Sequence, residues 1–414
     1  MEFIVIVALI VGFYMAWNIG ANDVANSMAC AVGSKSLPIF WAIILAAICN
    51  FCGAVLVGSS VANTVRKGII DTQAFTQDPN ILAHGMLCAL LAAAVWLNLA
   101  SYFGMPVSTT HSIVGAIVGF GVLKAGFEYV HWIKLGQIVA SWLISPMVGG
   151  IMAYIIFKLI SHYILSSEKP AIAARKGVPI CFFIVFTTVI LSIIYKGLKN
   201  LHLDLSANNA MVISIFGGLI SVVVSKYIAI RKGNYNSNLS LELQLVEVEK
   251  TFTVLVIISS CTVAFAQGAN DVANAIGPLA AIAEIVKTNA VPGEVPVSIW
   301  LLVLGGLGIA IGLITFGYRV MRLVGMKVTE ITPSRGVAAN LAGMITVLSC
   351  SKMGLPVSTT HTLIGAILGV GLARGITAIN RKVVKSIFTS WIATVPIAAG
   401  LTVLFYLIAS YFFW

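Results

Sequence analysis

The chain has 414 residues, of which 59% are hydrophobic and only 9% are charged, and its mean hydropathy is +1.01. Because about a quarter of the residues of an ordinary soluble domain are charged, this composition excludes a soluble protein and predicts an all-α polytopic membrane protein. The net charge of +11 does not indicate nucleic acid as a partner, since the basic residues collect in loops, where the positive-inside rule places them. We therefore expect a multi-pass protein of the plasma (inner) membrane, with the lipid bilayer as a partner.

Apolar segments recur along the whole chain, and we expect about twelve transmembrane segments, including re-entrant or broken helices. Their approximate positions are 3–19, 37–61, 81–103, 112–127, 133–163, 178–195, 210–230, 252–267, 297–323, 336–351, 361–373 and 384–413. Segments 112–127 and 361–373 are short and glycine-rich and follow a proline, so we expect re-entrant or broken helices there. Segments 133–163 and 384–413 exceed a span of about 20 residues, and each contains a proline that either kinks one helix or separates two.

Two sequence motifs each occur twice. Residues Gly20–Asn26 read GANDVAN, and the same letters return at Gly268–Asn274. The second motif, PVSTTH, occupies Pro106–His111 and Pro356–His361. The two copies are 248 residues apart for GANDVAN and 250 apart for PVSTTH. Such a constant offset indicates a duplicated half of the chain and not two chance matches.

The duplication divides the chain into three parts. We predict a first membrane repeat at 1–163, a connector with two spanning segments and basic loops at 164–250, and a second membrane repeat at 251–414. Transporters with two such repeats bind their substrate near the bilayer midplane, between interrupted helices. We expect these repeats to be homologous and inverted. Within the connector, we interpret residues 239–249 as a solvated linker in preference to an interfacial amphipathic helix.

Only two of the 14 acidic residues, Asp23 and Asp271, lie directly against spanning segments and also repeat. An ionised carboxylate at membrane depth requires a partner or a function. In a helix, Asn26 lies one turn from Asp23 and Asn274 one turn from Asp271, so each copy presents carboxylate and amide oxygens on one face. Oxygen donors suit a hard cation, and we predict that these four residues bind sodium. The alternative is that each aspartate caps a broken helix.

The PVSTTH motif offers the opposite chemistry. A proline at a helix start, followed by three hydroxyl groups beside the free N–H groups of the first turn, attracts an anion through hydrogen bonds and the helix dipole. The hydroxyl residues of the two copies are Ser108, Thr109, Thr110, Ser358, Thr359 and Thr360. The alternative is that these hydroxyls only pack between helices. We interpret His111 and His361, which end the two copies, as structural and not as proton or substrate contacts.

No Lys or Arg lies in the four motif copies, so an anion beside the two carboxylates would be repelled unless cations entered with it. We favour sodium over protons because the sequence offers no third acid at membrane depth for a proton relay. The sequence therefore predicts a cation-coupled secondary transporter. It does not predict an enzyme, since no nucleophile–base pair, metal cluster or phosphate-binding glycine loop is present. Two alternatives stay open, a proton-coupled carrier and an anion channel.

The duplicated GANDVAN and PVSTTH signatures resemble those of the inorganic phosphate transporter (PiT) family, in both halves of the chain. The resemblance implies sodium- or proton-coupled symport of inorganic phosphate between inverted repeats, with sodium ions as co-transported ligands and no other cofactor. It also implies that the six hydroxyl residues hold phosphate and that Asn22 and Asn270 join the substrate site. The alternative is a proton-coupled symporter of metal-phosphate or of another tetrahedral oxyanion such as sulfate. A homodimer stays open as an arrangement. The chain differs from animal members in lacking a long central hydrophilic loop and in carrying Asn50 and Asn340 where those members have glutamates.

Overall fold

The structure, a computed structural model, describes residues 2–58, 69–197, 205–231, 239–292, 297–352 and 357–412. Long apolar runs form helices there because backbone polar groups at membrane depth must be satisfied within their own segment. The helices are α1 (Glu2–Asn22), α2 (Ala29–Gly33), α3 (Ile39–Val57), α4 (Pro79–Tyr102), α5 (Thr109–Lys124), α6 (Trp132–Ile160), α7 (Pro170–Gly197), α8 (Ala207–Arg231), α9 (Leu241–Thr288), α10 (Ile299–Phe316), α11 (Tyr318–Lys327), α12 (Pro333–Lys352), α13 (Thr359–Arg374) and α14 (Arg381–Phe412). Among the residues described, nine helical segments are long and apolar enough to cross a membrane. The predicted all-α polytopic fold is confirmed.

Both PVSTTH copies begin a helix where the sequence predicts one. Ser108 and Ser358 precede α5 and α13, and their Oγ atoms accept hydrogen bonds from the backbone N–H of His111 (3.4 Å) and His361 (3.2 Å). This is the N-cap arrangement that serine favours. Each helix has 16 residues, fewer than the roughly 20 that a span needs. Pro356, ahead of α13, lies outside the described residues.

The two long segments that contain a proline are single helices. Helix α6 has 29 residues and continues through Pro146, and α14 has 32 residues and continues through Pro396. Of the two arrangements that the sequence left open, the division into two pieces is therefore wrong for both segments.

Helix α9 corrects the interpretation of residues 239–249 as a solvated linker. The helix begins at Leu241 and runs for 48 residues, across the predicted boundary between the connector and the second repeat. The carboxylate of Glu249 accepts hydrogen bonds from the backbone N–H (2.8 Å) and the hydroxyl (2.6 Å) of Ser334, in the first turn of α12, where a negative charge is favourable. Val248 is fully buried. The linker interpretation is wrong, because the segment is helical from Leu241 onward and is bonded to α12. The sequence does not reveal this, since Ser334 lies 85 residues further along the chain.

The helices of the two predicted repeats pack crosswise against each other. Helix α1 lies against α10, and α9 lies against α3. Glycine permits both contacts, because a side chain on Gly20 would collide with the carbonyl group of Ile309 and one on Gly268 with that of Asn50. Close backbone approach at small residues is a usual way of packing membrane helices. Each GANDVAN copy is therefore packed against a helix of the other repeat.

The two helices that begin at PVSTTH follow the same rule. Helix α5 packs against α14, and α13 packs against α6. Gly115 lies directly against the backbone of Val395, and Gly365 lies against that of Pro146. This exchange of partners places the N-termini of α5 and α13 in the interior of the protein, next to the GANDVAN segments.

Candidate functional site

The two GANDVAN copies have the same seven residues but different backbones. In the first copy, α1 ends at Asn22 and a short 3₁₀ turn, Val24–Met28, leads into α2. Asp23 therefore lies at a helix break. In the second copy, the whole of Gly268–Asn274 lies inside the continuous helix α9. Interrupted helices are where transporters of this general kind hold ions and substrates, and the first copy has that form.

The carboxylate of Asp23 is bound to the N-terminus of α5. Its Oδ2 atom accepts hydrogen bonds from the backbone N–H of Thr109 (3.2 Å) and from the Thr109 hydroxyl (2.8 Å). Asp23 is only 1% exposed and Thr109 is fully buried. A negative charge at a helix N-terminus is favoured by the free N–H groups and by the helix dipole. The sequence assigned these two residues to separate cation and anion sites, whereas the structure places them in direct contact.

The last asparagine of each GANDVAN copy reaches the PVSTTH copy of the other repeat. The side-chain amide of Asn26 donates to the hydroxyl of Thr360 at 3.2 Å. The amide of Asn274 donates to the hydroxyl of Thr109 at 2.9 Å and to that of Thr110 at 3.4 Å. The four motif copies, which are far apart in the sequence, therefore meet in one buried polar cluster.

Two oxygen atoms of this cluster are candidates for binding a cation. Within the described ranges, Oδ1 of Asp23 and Oδ1 of Asn26 are buried and have no hydrogen-bond partner. Buried polar atoms without a partner are uncommon in native proteins, and each one calls for an explanation. One charged and one neutral oxygen are donors of the type that a hard cation prefers. This arrangement fits the predicted assignment of both residues to sodium, which stays a prediction.

The two asparagines that the resemblance assigns to the substrate have different surroundings. The amide nitrogen of Asn22 donates to the Ser101 hydroxyl (3.0 Å) and the Met105 carbonyl (2.9 Å), and its oxygen accepts from the Val107 N–H (2.9 Å). These three bonds attach the end of α1 to the last turn of α4 and to the loop that leads into α5. The amide of Asn270 is half-buried and donates to its neighbour Asp271 at 2.9 Å. A substrate contact by either asparagine stays a prediction.

All six hydroxyl residues of the PVSTTH copies are buried, with exposures of 0 to 8%. The two serines are engaged as helix N-caps, and Thr109, Thr110 and Thr360 contact GANDVAN side chains as described above. Thr359 differs, because its Oγ1 atom is buried and without a hydrogen-bond partner in the part of the chain that the structure describes. The first repeat thus engages the hydroxyl at this position, whereas the second leaves it available.

The two histidines lie in a column of four rings. The rings of His111 and His361 meet edge to face with their centroids 4.2 Å apart. His111 stacks on Trp142 at 3.5 Å, and His361 stacks on Trp391 at 3.6 Å. These contacts fit the predicted structural role. The column brings the first turns of α5 and α13 side by side.

Reasoning from the repeats missed Gln267, which immediately precedes the second GANDVAN copy. It is 1% exposed, and in the residues described neither atom of its amide has a hydrogen-bond partner. Its counterpart in the first repeat is Ile19. Because the counterpart is apolar, a search for repeated polar residues does not find Gln267. The sequence signal that could have revealed it is a glutamine within an apolar segment, one helical turn before Asp271.

A buried cluster of carboxylates, amides and hydroxyls among apolar helices is costly to maintain unless it binds something that crosses the membrane. The fold and the cluster together define a multi-pass membrane transporter. The model of the phosphate transporter family matches residues 19–402, which is most of the chain. The chain belongs to this family, whose members are transporters and not enzymes.

Individual relatives agree with this assignment. Two are named “Putative phosphate permease”: one from Thermococcus kodakarensis, 44% identical over 95% of both chains, and one from Haemophilus influenzae, 42% identical over 99% of this chain and 98% of the relative. The “Inorganic phosphate transporter 2-1, chloroplastic” of Arabidopsis thaliana is 40% identical over 96% of this chain and 70% of the relative. A solved structure named “The sodium-dependent phosphate transporter” has a TM-score of 0.89 and 38% identity, over 100% of both chains.

Proposed function

We propose that the protein is a sodium-coupled symporter of inorganic phosphate, a secondary active transporter whose site lies near the midplane between two inverted repeats. The observation that carries the proposal is the contact between Asp23 and Thr109, in which the protein's own carboxylate occupies an anion-binding helix N-terminus. The name of the similar solved structure, a sodium-dependent phosphate transporter, supports both the substrate and the coupling ion.

The residue roles follow the chemistry of the cluster. The sodium ligands in this proposal are Asp23, Asn26, Asp271 and Asn274. The phosphate ligands are the six hydroxyl residues Ser108, Thr109, Thr110, Ser358, Thr359 and Thr360, together with Asn22 and Asn270. Phosphate and sodium are co-transported, and the protein needs no resident cofactor for this activity.

The charges of the site favour entry of cations together with the anion. Two carboxylates and one monoanionic phosphate contribute three negative charges, while two helix N-termini return only about half a positive charge each. Two sodium ions bring the total close to zero. Because like charges in a poorly solvated interior repel strongly, phosphate binding without cations is unfavourable. This is the physical basis of the coupling.

The contact between Asp23 and Thr109 suggests how the coupling operates. Phosphate reaches the hydroxyl and N–H of Thr109 only when the carboxylate withdraws from them. A sodium ion bound to Oδ1 of Asp23 and Oδ1 of Asn26 draws charge from that carboxylate and weakens its hydrogen bonds to Thr109. Sodium thus raises the affinity for phosphate, and by linkage phosphate raises the affinity for sodium by the same factor.

The test is uptake of labelled phosphate into proteoliposomes that contain the purified full-length protein. We expect rapid uptake when sodium is present outside at higher concentration than inside, and uptake near the protein-free background when potassium replaces sodium. A matched set of vesicles carries a pH gradient without sodium. Equal uptake in those vesicles would contradict sodium coupling and favour the proton-coupled alternative. Uptake that follows the phosphate gradient alone, with no cation dependence, would instead identify a channel.

A further inference from the structure

A small cavity of about 30 Å³ lies between α9, α12 and α13, beside Ser192 of α7. Most of the side chains that line it are apolar, and Met344 is one of them. Gln267 and Thr359 supply polar groups to its lining. Thr359 is one of the proposed phosphate ligands, so the cavity adjoins the proposed substrate site. A cavity of about 10–15 Å³ already holds one water molecule, so this cavity has room for an oxygen-bearing group of a ligand.

Three side-chain polar atoms on this wall have no hydrogen-bond partner among the described residues. Gln267 is 1% exposed, and Thr359 is 7% exposed. Across the described parts of the chain, Oε1 and Nε2 of Gln267 and Oγ1 of Thr359 have no hydrogen-bond partner. Buried polar side-chain atoms in native proteins are paired with the protein or with an ordered group. A ligand that both donates and accepts hydrogen bonds would satisfy all three of these atoms.

The first repeat has no equivalent arrangement at the corresponding residues. Gln267 is replaced there by Ile19, which is fully buried. The hydroxyl of Thr109, which corresponds to Thr359, already bonds to Asp23 and Asn274. At these two positions, therefore, only the second repeat has hydrogen-bonding groups without a partner among the described residues.

The hydrogen-bonding capacity of the wall distinguishes between ligands. A sodium ion would coordinate Oε1 of Gln267 and Oγ1 of Thr359 but would leave the amide N–H groups unsatisfied, because a cation accepts no hydrogen bond. A protonated oxygen of phosphate satisfies both kinds of atom, since it donates to Oε1 and accepts from Nε2 or from the threonine hydroxyl. At neutral pH phosphate and arsenate each keep at least one proton, whereas sulfate keeps none.

We propose that Gln267 contacts the substrate and, with Thr359, selects tetrahedral oxyanions that carry a proton, so that phosphate and arsenate are accepted and sulfate is rejected. This inference rests on the proposed function and adds a specificity-determining residue to it. One corner of the anion, a P–OH group, enters the cavity, while its other oxygens face the N-terminal turn of α13.

The test compares Gln267→Leu with the wild-type protein in sodium-driven uptake of labelled phosphate, with arsenate and sulfate as competitors. A site that bonds a substrate hydroxyl strongly rejects an analogue that lacks it, so wild-type uptake should be inhibited by arsenate and not by sulfate at equal concentration. In Gln267→Leu we expect the KM for phosphate to rise by about tenfold or more, as one charge-assisted hydrogen bond is lost. We also expect the arsenate-to-sulfate preference to fall by a similar factor.

Met344→Leu is the matched control, because it changes the wall of the same cavity at nearly constant volume and removes no hydrogen-bonding group. Gln267→Glu covers the case in which the leucine variant does not fold, because it keeps the side-chain length and one acceptor but loses the amide donor. For Gln267→Glu we expect a raised KM for phosphate and, in detergent, a smaller phosphate-induced rise in melting temperature than in the wild type.

The two levels of the proposal fail in different ways. If the wild-type protein shows no sodium-dependent phosphate uptake, the proposed function is overturned and this inference with it. If wild-type uptake is sodium-dependent but the folded Gln267 variants keep the wild-type KM and the wild-type preference for arsenate over sulfate, only the role of Gln267 is overturned. A Met344→Leu variant that changes selectivity as much as Gln267→Leu would also overturn it.

Discussion

The two repeats carry the same GANDVAN heptapeptide, yet the first copy breaks a helix at Asp23 and the second continues one from Leu241 to Thr288. In the first copy, hydrogen bonds to residues elsewhere in the chain stabilise the helix break. Asn22 makes three hydrogen bonds to residues before α5, and Asp23 makes two to Thr109. Identical local sequence thus adopts two backbones because tertiary contacts differ, and a local propensity cannot foresee that.

The difference also separates the roles of the two repeats. In the first, a carboxylate already occupies the N-terminus of α5, so this side is arranged to respond to a cation. In the second, the Thr359 hydroxyl and the Gln267 amide face a cavity, and among described residues they have no hydrogen-bond partner. We infer that both repeats contribute ligands for sodium and phosphate, that the first adds the Asp23–Thr109 contact that responds to sodium, and that the second adds Gln267 for substrate selection.

The largest effect is expected from removing either carboxylate charge. Asp23→Asn and Asp271→Asn should each abolish sodium-coupled uptake, a loss of about a hundredfold, which is the upper range of coupling between two ligands. Uptake at several sodium concentrations measures this, and Glu128→Gln, at an exposed acid outside the motifs, is the control. Full sodium dependence in both aspartate variants would show that the carboxylates are structural caps.

A smaller effect should distinguish the corresponding threonines. Thr109→Val removes a hydroxyl that bonds Asp23 and Asn274, and leaving such buried partners unsatisfied should lower the free energy of unfolding by about 1–3 kcal/mol. Thr359→Val removes a hydroxyl without a partner in the described residues. Its stability should stay close to that of the wild type, while its KM for phosphate rises about tenfold.

Thermal unfolding in detergent and phosphate uptake, measured on both variants, check this pair. Equal destabilisation by the two substitutions would show that the Thr359 hydroxyl is as firmly hydrogen-bonded as that of Thr109. An unchanged KM in Thr359→Val would show that the Thr359 hydroxyl does not bind phosphate.

The smallest effect should come from a contact outside both motifs, which gives a baseline for the comparison. Glu249→Gln removes the negative charge that binds Ser334 at the start of α12. We expect a loss of about 1 kcal/mol in unfolding free energy, as for other charge interactions at helix termini, with sodium dependence and the KM for phosphate unchanged. A large change in coupling would mean that the α9–α12 contact takes part in transport.

The features that the sequence predicts well are those that depend on short range or on repetition. Composition predicts the helical membrane fold, and the proline and serine of each PVSTTH copy predict where α5 and α13 begin. The duplication singles out Asp23 and Asp271. Each of these features follows from the composition, from a short local motif or from the repetition of that motif.

The features that the sequence does not predict depend on partners that are distant along the chain. The alternating Leu-Glu pattern at 241–249 reads as a linker until Ser334 supplies a partner for Glu249. The pairing of Asp23 with Thr109 joins residues 86 positions apart, and electrostatic reasoning assigned them to different ions. Gln267 escaped notice because it breaks the repeat. Side chains that matter for only one half of a duplicated protein are invisible to a search for what the halves share.

The central claim is that sodium draws Asp23 away from Thr109 and so opens the site to phosphate. The most direct measurement is equilibrium binding of labelled phosphate to the purified protein, in sodium and in an equal concentration of potassium. The account predicts that sodium raises phosphate affinity by about tenfold or more, within the usual range of coupling between two sites, and that Asp23→Asn abolishes this difference. Equal phosphate affinity in the two salts, or an undiminished sodium effect in Asp23→Asn, would contradict it.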